Sequence, residues 1–361
     1  MQTREPIAPL ALAFLKLGTL AFGGPAAHIA MMEKEFVEDR RWLTREEFLD
    51  LVGAASLIPG PSSTEVAIYV GYRRAGWRGL LAAGLCFILP AALLVTVIAW
   101  AYVRLGSLPQ AGALLRGVKA AVVPIVAQAV LSLGRTAMKT PALVVLGAAA
   151  AGASALGVNP LWALLGAGVL SLLTRHPPHV KGMLAVAAPA PLGKLFLVFL
   201  KLGSVVFGSG YVLLAFLRAD LVAGTHWLTE AQLLDAVAVG QVTPGPVFTA
   251  ATFIGYVVAG LPGAAVATVG IFLPSFLLVA ASGPLIPRLR RSPRAAAFLD
   301  GVNAAAVGVI AVVGVELART ALVDVPTILL AALGFLALVF FRLNSAWLVL
   351  AGALVGFLPR A

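Results

Sequence analysis

Apolar residues run along this chain in blocks, with no alternation against polar ones. Trp77 to Tyr102, Gln110 to Leu133 and Thr327 to Phe341 carry little or no charge. A membrane-spanning helix needs about 20 such residues at 1.5 Å each, so the blocks predict helices. The missing period-two pattern argues against an outer-membrane barrel. The breaks are as regular as the blocks. An apolar helix ends at Phe22-Gly23-Gly24-Pro25, a polar amphipathic stretch follows, and then comes Pro59-Gly60-Pro61; the same order returns at Phe207-Gly208-Ser209-Gly210 and Pro244-Gly245-Pro246. Thr44 with Glu47, and Thr229 with Gln232, read as capping boxes, and Leu43 with Phe48 and Leu228 with Leu233 as their hydrophobic staples. Helices therefore start near Arg45 and Glu230, run about four turns and stop at the proline pairs, where N–H groups are missing and the rings clash. A new helix starts just after each.

The recurrence has a fixed offset. Phe14-Leu15-Lys16-Leu17-Gly18 returns as Phe199-Leu200-Lys201-Leu202-Gly203, and Trp42-Leu43-Thr44 as Trp227-Leu228-Thr229, both 185 residues on. After the Pro-Gly-Pro turns one residue is lost, so Gly71/Gly255, Pro90/Pro274 and Arg135/Arg319 lie 184 apart. Two copies result, residues 1–180 and 190–361, joined by a proline-rich basic linker from Arg175 to Pro191. Duplicated units with broken apolar segments are the mark of a transporter whose site lies between its halves.

Lys and Arg positions orient the copies. If each Pro-Gly-Pro segment is a hairpin that enters and leaves on one side, each copy crosses five times and the N-terminus is outside. Lys34, Arg40, Arg41, Arg45, Arg73, Arg74, Arg78 and the cluster Arg288 to Arg294 then fall in the cytoplasm. Six crossings would make the copies parallel and expose that last cluster. The expected fold is an all-α integral membrane protein of two inverted-topology repeats, about five spanning helices each, with re-entrant Pro-Gly-Pro helical hairpins.

Composition narrows the classes. With 61% hydrophobic and 11% charged residues, the chain is too apolar for a water-soluble domain of this length. The net charge of +11 is spread over short loops, which fits membrane orientation rather than nucleic acid. Cys86 stands alone inside an apolar run, so neither a disulfide framework nor a thiolate metal site is expected. No zinc-protease, serine-hydrolase or phosphate-loop motif appears, and no enzyme activity, metal or cofactor is expected. Ala8 to Ala21 looks like a secretory segment, but its residues recur at Phe199 to Gly203 and so belong to the fold.

Pro59-Gly60-Pro61-Ser62-Ser63-Thr64-Glu65 carries the most chemistry. A helix restarting inside a membrane presents unpaired N–H groups and the positive end of its dipole, and three hydroxyls add donors suited to an oxyanion. The alternative is an ordinary Ser62–Glu65 capping box at a chain reversal. The second copy keeps Gly245 and Thr249 but has Val247, Phe248 and Ala250, so the site is expected to be asymmetric. Gly23, Gly24 and Gly208 would let backbone approach a ligand or a neighbouring helix. Lys16 and Lys201, inside apolar helices, either attract a dianion or extend to an interface. Arg116 and Lys119 share one helix face, with Asp300 and Asn303 at the equivalent places. They attract substrate with Asp300 as counter-charge, or Arg116 and Asp300 form a structural pair. Glu65 is the best coupling carboxyl, since beside an anion it must be neutral. His28 is a second proton-relay candidate, with a packing role as its alternative; Asp50 and Asp235 read as interfacial charges.

Phe22-Gly23-Gly24-Pro25, then Arg41-Trp42-Leu43-Thr44, Phe48 and Pro59-Gly60-Pro61, with a second copy of the series, closely resembles the chromate ion transporters in their long two-domain form. The resemblance implies a multi-pass carrier in a prokaryotic inner membrane. Such a carrier exports chromate, a tetrahedral dianion, under the proton-motive force and confers chromate resistance. Its implied partners are chromate, protons and lipid. The residues alone reach only an oxyanion carrier, with sulfate as the alternative substrate, and a homodimer is the default assembly.

Overall fold

The computed structural model describes residues 6–22, 24–105, 109–175, 191–206, 210–282, 292–341, 343 and 345–357. Gly23, Gly208 and most of the Arg175 to Pro191 linker therefore lie outside the described residues. Among the described residues there are helices and turns but no strand. The first half holds α1 (Ile7–Leu20), α2 (Gly24–Glu33) with a π-helical extension (Lys34–Asp39), α3 (Arg45–Ala55), α4 (Ser62–Leu105), α5 (Pro109–Ala137), α6 (Pro141–Ala155) and α7 (Pro160–Arg175). The second half repeats the order. It holds α8 (Pro191–Val205), α9 (Gly210–Leu217) with a π-helical extension (Arg218–Gly224), α10 (Glu230–Val242), a 3₁₀ turn (Val247–Thr249), α11 (Ala250–Ser282), α12 (Pro293–Ala321), α13 (Val325–Phe340) and α14 (Ser345–Val355). Among the described residues, four segments are long and apolar enough to cross a membrane, Ser62–Leu105, Gly112–Ala137, Val247–Ser282 and Ala296–Ala321, and shorter apolar helices accompany them. The chain is a multi-pass, all-α membrane protein.

The helices form two compact units, each drawing on both halves of the chain. In the first unit (Met1–Gly106, Leu195–Gly210, Val239–Pro287), short helices double back. Phe14 of α1 packs on Phe36 with ring centroids 4.9 Å apart, and Lys16 Nζ meets Glu35 Oε2 at 2.8 Å. Helix α1 and the α2 segment are thus antiparallel, which puts Ile7 and Asp39 at one end. The 14 residues of α1 reach about 21 Å. Helix α3 and the start of α4 form the next hairpin. The Thr44 capping box opens α3 as its sequence predicts. Glu47, in the first turn, accepts from Arg73 at 3.2 Å, and Arg74 donates to the Trp42 carbonyl at 3.2 Å. The chain therefore enters and leaves on one side, with Pro59-Gly60-Pro61 at the tip.

Helix α4 then folds back on itself. Ala75 and Gly76 leave helical geometry, Gly76 with φ +60°, and the two arms close until the backbones of Gly71 and Gly79 touch. The break recurs in α11 at Ala259 and Gly260 (φ +62°), where Gly255 meets Gly263. Only glycine suits these places, because a Cβ would strike the facing carbonyl. The long arms of α4 and α11 run antiparallel. Gly84 lies against Phe276, while Tyr102, near the end of α4, meets Phe253, near the start of α11, with centroids 5.0 Å apart. Gly18 lets α1 lie on the Cys86 and Phe87 carbonyls, as Gly203 does for α8 on that of Ile271.

In the second unit (Ser107–Lys194, Tyr211–Ala238, Arg288–Ala361), α6 and α7 pack on α12, and α13 and α14 on α5. Small residues again set the approach: Gly147 against Ala304 and Gly308, Gly168 against Phe298, and Gly117 against Gly352 and Gly356. Ser171 also donates to the Ala297 carbonyl at 2.7 Å.

Gly71→Val and Gly255→Val should each lower the thermal unfolding midpoint of the detergent-purified protein, since overpacking costs about 1–3 kcal/mol even where neighbours are side chains. Gly166→Ala, whose Cβ would meet nothing within 4 Å, should leave the midpoint unchanged.

Candidate functional site

The two Pro-Gly-Pro turns are built into the first unit by an exchange of backbone hydrogen bonds. Gly60 N–H donates to the Val206 carbonyl at 2.7 Å, and Gly245 N–H donates to the Ala21 carbonyl at 2.8 Å. Each turn thereby closes the end of the first helix of the opposite half. Both glycines take positive φ, +138° and +89°. At Gly60 a Cβ would overlap the Glu65 carboxylate and lie 2.6 Å from Ser275 Oγ; at Gly245 it would lie 2.8 Å from Ala91 Cβ. The turns are therefore tied to glycine by conformation and by space.

At the first tip, polar groups gather away from solvent. His28, Ser63, Thr64, Glu65 and Ser275 are all buried. His28 Nε2 lies 3.1 Å from the Ala21 carbonyl and Nδ1 lies 3.3 Å from Ser63 Oγ. A carbonyl only accepts, so the neutral ring carries its hydrogen on Nε2 and accepts the Ser63 hydroxyl at Nδ1. Ser275 Oγ donates to Glu65 Oε1 at 3.5 Å. Thr64 Oγ1 and Glu65 Oε2 are buried and have no hydrogen-bond partner among the described residues. Buried polar atoms are nearly always paired, so two such atoms on consecutive residues at a helix start are candidates for contact with a ligand.

The helix start itself corrects one expectation. Thr64 and Glu65 N–H donate to the Pro61 carbonyl at 2.7 and 3.1 Å, and Ser62 already lies within α4, so the Ser62–Glu65 capping box is not the one that forms. The prolines set this register, because Pro61 supplies the extended residue before the helix. At the second tip, Thr249 turns its hydroxyl back on the Pro246 carbonyl at 2.8 Å beside buried Phe248 and Ala250. One tip is polar and the other apolar.

The candidate cations lie on other contacts. Lys16 is bound to Glu35, and its side chain is 57% exposed. Burial pushes the Glu35 carboxyl up, but hydrogen bonds from Lys16 and Arg40 outweigh it and hold it below the ordinary range. Lys201 is half-buried on α8, and Gly24 opens α2 with φ +79°. In the second unit, Arg116 donates to Asp324 at 2.9 Å and to the Gly356 carbonyl at 2.6 Å. Asp300 meets Lys139 at 3.5 Å. The expected Arg116–Asp300 pair is thus replaced by two others. They are equivalent positions with the signs exchanged: 116 and 300 lie 184 apart, 139 and 324 lie 185 apart. Lys119 pairs with Asp235 at 3.2 Å, and Asp235, expected at an interface, is buried. Among the described residues, no three His, Cys, Asp or Glu side chains gather as a metal would need.

Three features were missed at the level of sequence. Ser275 belongs to the first tip although it comes from the second half; its signal was the change from Ala91 at the equivalent position, next to a proline kept in both copies. The Ala75-Gly76 fold-back had only its glycine as a cue. At the mouth of the hairpins Trp42 stacks on Phe36 at 5.2 Å, with Arg40 and Arg74 over its ring at 4.9 and 5.1 Å.

Arg116→Asp alone should destabilise the protein strongly, since breaking a buried pair costs about 3–5 kcal/mol. The double exchange Arg116→Asp with Asp324→Arg should recover part of the lost unfolding temperature, because it restores the ion pair but not the Asp324–Thr327 cap or the bond to the Gly356 carbonyl.

A family model described as chromate transporter matches the chain twice, over residues 8–172 and 193–357. A chromate transport protein of Cupriavidus metallidurans is 37% identical, covering 95% of this chain and 90% of that protein. A probable chromate transport protein of Synechococcus elongatus is 36% identical over 92% of this chain and 88% of its own length. A chromate transport protein of Pseudomonas aeruginosa is 35% identical, with 96% and 90% covered. No solved structure matches the chain.

Proposed function

The chain belongs to the chromate transporter family, and from that premise we propose that it is a secondary carrier exporting chromate across a prokaryotic plasma membrane under the proton-motive force, so conferring chromate resistance. The observation that carries the site is the buried first tip, where Ser63, Thr64 and Glu65 lie in the first turn of α4 and Glu65 and Ser275 lie against Gly60. A helix N-terminus and hydroxyl donors suit a tetrahedral dianion without any metal. Thr64 Oγ1, with no partner of its own, is a ready donor to the anion.

Several features support two inverted copies: the antiparallel long arms of α4 and α11, the tips bonded each to the other half, and the matching pattern of fold-backs. Lys34, Arg40, Arg41, Arg45, Arg73, Arg74 and Arg78 surround the mouth of the first hairpins, which supports a cytoplasmic position for that mouth. An inside-negative potential then drives the anion outward: two charges at about 2.3 kcal/mol each per 100 mV give roughly 4.6 kcal/mol. Relatives named as transporters support a carrier rather than an enzyme. Sulfate, of the same shape and charge, is the alternative cargo, and selectivity between the two rests on flux competition.

In inside-out vesicles, labelled chromate uptake should saturate and rise when the lumen is made positive; no saturable uptake under any gradient would overturn the carrier reading. Thr64→Val should raise the half-saturating concentration about tenfold, the worth of one hydrogen bond to a charged group, without loss of folded protein. An unchanged value would remove Thr64 from the site. With Cys86 replaced by serine, a cysteine at Glu46 should react with an impermeant reagent only from the cytoplasmic face and one at Ala231 only from outside; labelling of both from one face would refute the inversion.

A further inference from the structure

Glu65 sits where the oxyanion would sit. Helical side chains lean toward the N-terminus, so a glutamate in the first turn of α4 folds back over the Pro-Gly-Pro turn. Its Oε1 lies against Gly60 and accepts the Ser275 hydroxyl, while Oε2 is buried with no donor. A fully buried carboxyl ordinarily has a cation. Here each element packed on α4 either lacks one or holds it elsewhere. Helix α1 offers only Lys16, bound to Glu35 at 2.8 Å. Helix α2 offers His28, engaged with Ala21 and Ser63, and Glu33, bound to Arg45 at 3.2 Å. Helix α3 carries that Arg45, Glu46, Glu47 (paired with Arg73) and Asp50. Helix α11 has no charged residue and one titratable group, Tyr256, and the 3₁₀ turn has neither. On α4 itself, Tyr69 bonds to Ser282, Arg73 and Arg74 sit at the mouth, and Tyr72, Arg78, Cys86, Tyr102 and Arg104 are the remaining titratable or charged groups.

We propose that Glu65 is a tethered stand-in for the transported anion: its carboxylate holds the Ser275 hydroxyl, and chromate takes that donor only when a proton converts Glu65 to the neutral acid. The inference rests on the reading of this tip as the anion site. The balance is simple. One proton joins the Glu65 carboxylate, the Ser275 hydroxyl is released, and it donates instead to an oxygen of the dianion. Ser275, contributed by the second half, is the residue that both anions share in turn. The second tip has alanine at both equivalent positions, Ala250 for Glu65 and Ala91 for Ser275, and takes no part in the exchange.

The test uses the full protein purified in detergent, with chromate as the ligand, above the pH at which chromate itself is a dianion. Mixed with chromate in weak buffer containing a pH indicator, the wild type should take up about one proton per anion bound. Its dissociation constant should weaken about tenfold per pH unit, as one linked proton requires. Glu65→Gln should bind chromate with no proton uptake and a flat pH profile, and Glu65→Asp should restore both. Chromate binding by the wild type with zero proton uptake overturns the stand-in role and leaves the anion site standing. No chromate binding at any pH overturns the site itself. If Glu65→Gln fails to fold, the proton count on the wild type still decides.

Discussion

Two backbone hydrogen bonds, from Gly60 N–H to the Val206 carbonyl and from Gly245 N–H to the Ala21 carbonyl, are the constraint on which the first unit depends. Within a bilayer no water is at hand for a helix end, so every interruption must find its partner inside the protein. This chain meets the need by exchange: each half breaks a helix and closes the other half's break. Neither half can hold its tip alone. That mutual dependence explains why a duplicated sequence folds into compact units that each take pieces from both copies.

Glycine makes the exchange geometrically possible. Gly18 and Gly203 let α1 and α8 lie directly on the carbonyls of α4 and α11, and the Gly71–Gly79 and Gly255–Gly263 contacts fold the long helices back at equal depth in both halves. Among lipid tails, apolar side chains gain little by meeting one another, so close backbone approach and hydrogen bonds carry the packing.

On this symmetric frame the chemistry is one-sided. Ser63, Glu65 and Ser275 occupy the first tip, and the second has Phe248, Ala250 and Ala91 at the equivalent positions. Elsewhere the duplication preserves an interaction while reversing its polarity, as in Arg116–Asp324 and Asp300–Lys139. Attraction depends on the product of the charges, not on which helix bears which sign. A duplicated frame can thus hold its helices alike and still present a polar site on one side only.

The sequence by itself determined the membrane class, the duplication, the Thr44 helix start and the position of the proline breaks. These are local or periodic properties: hydropathy over about 20 residues, a capping pattern within four, and identity at a fixed offset. It also singled out Ser63, Thr64 and Glu65, because hydroxyls and a carboxyl at a mid-membrane helix start are conspicuous without a partner in view. What only the tertiary structure decided are the relations across the offset. The α2 segment turns back along α1, Lys16 is held by Glu35, Arg116 is held by Asp324 rather than Asp300, and Ser275 arrives beside Glu65 from 210 residues away. No local pattern encodes which distant side chain will meet a buried charge. That choice is made by the packing of glycine-lined helices and by the demand that each broken backbone end be satisfied.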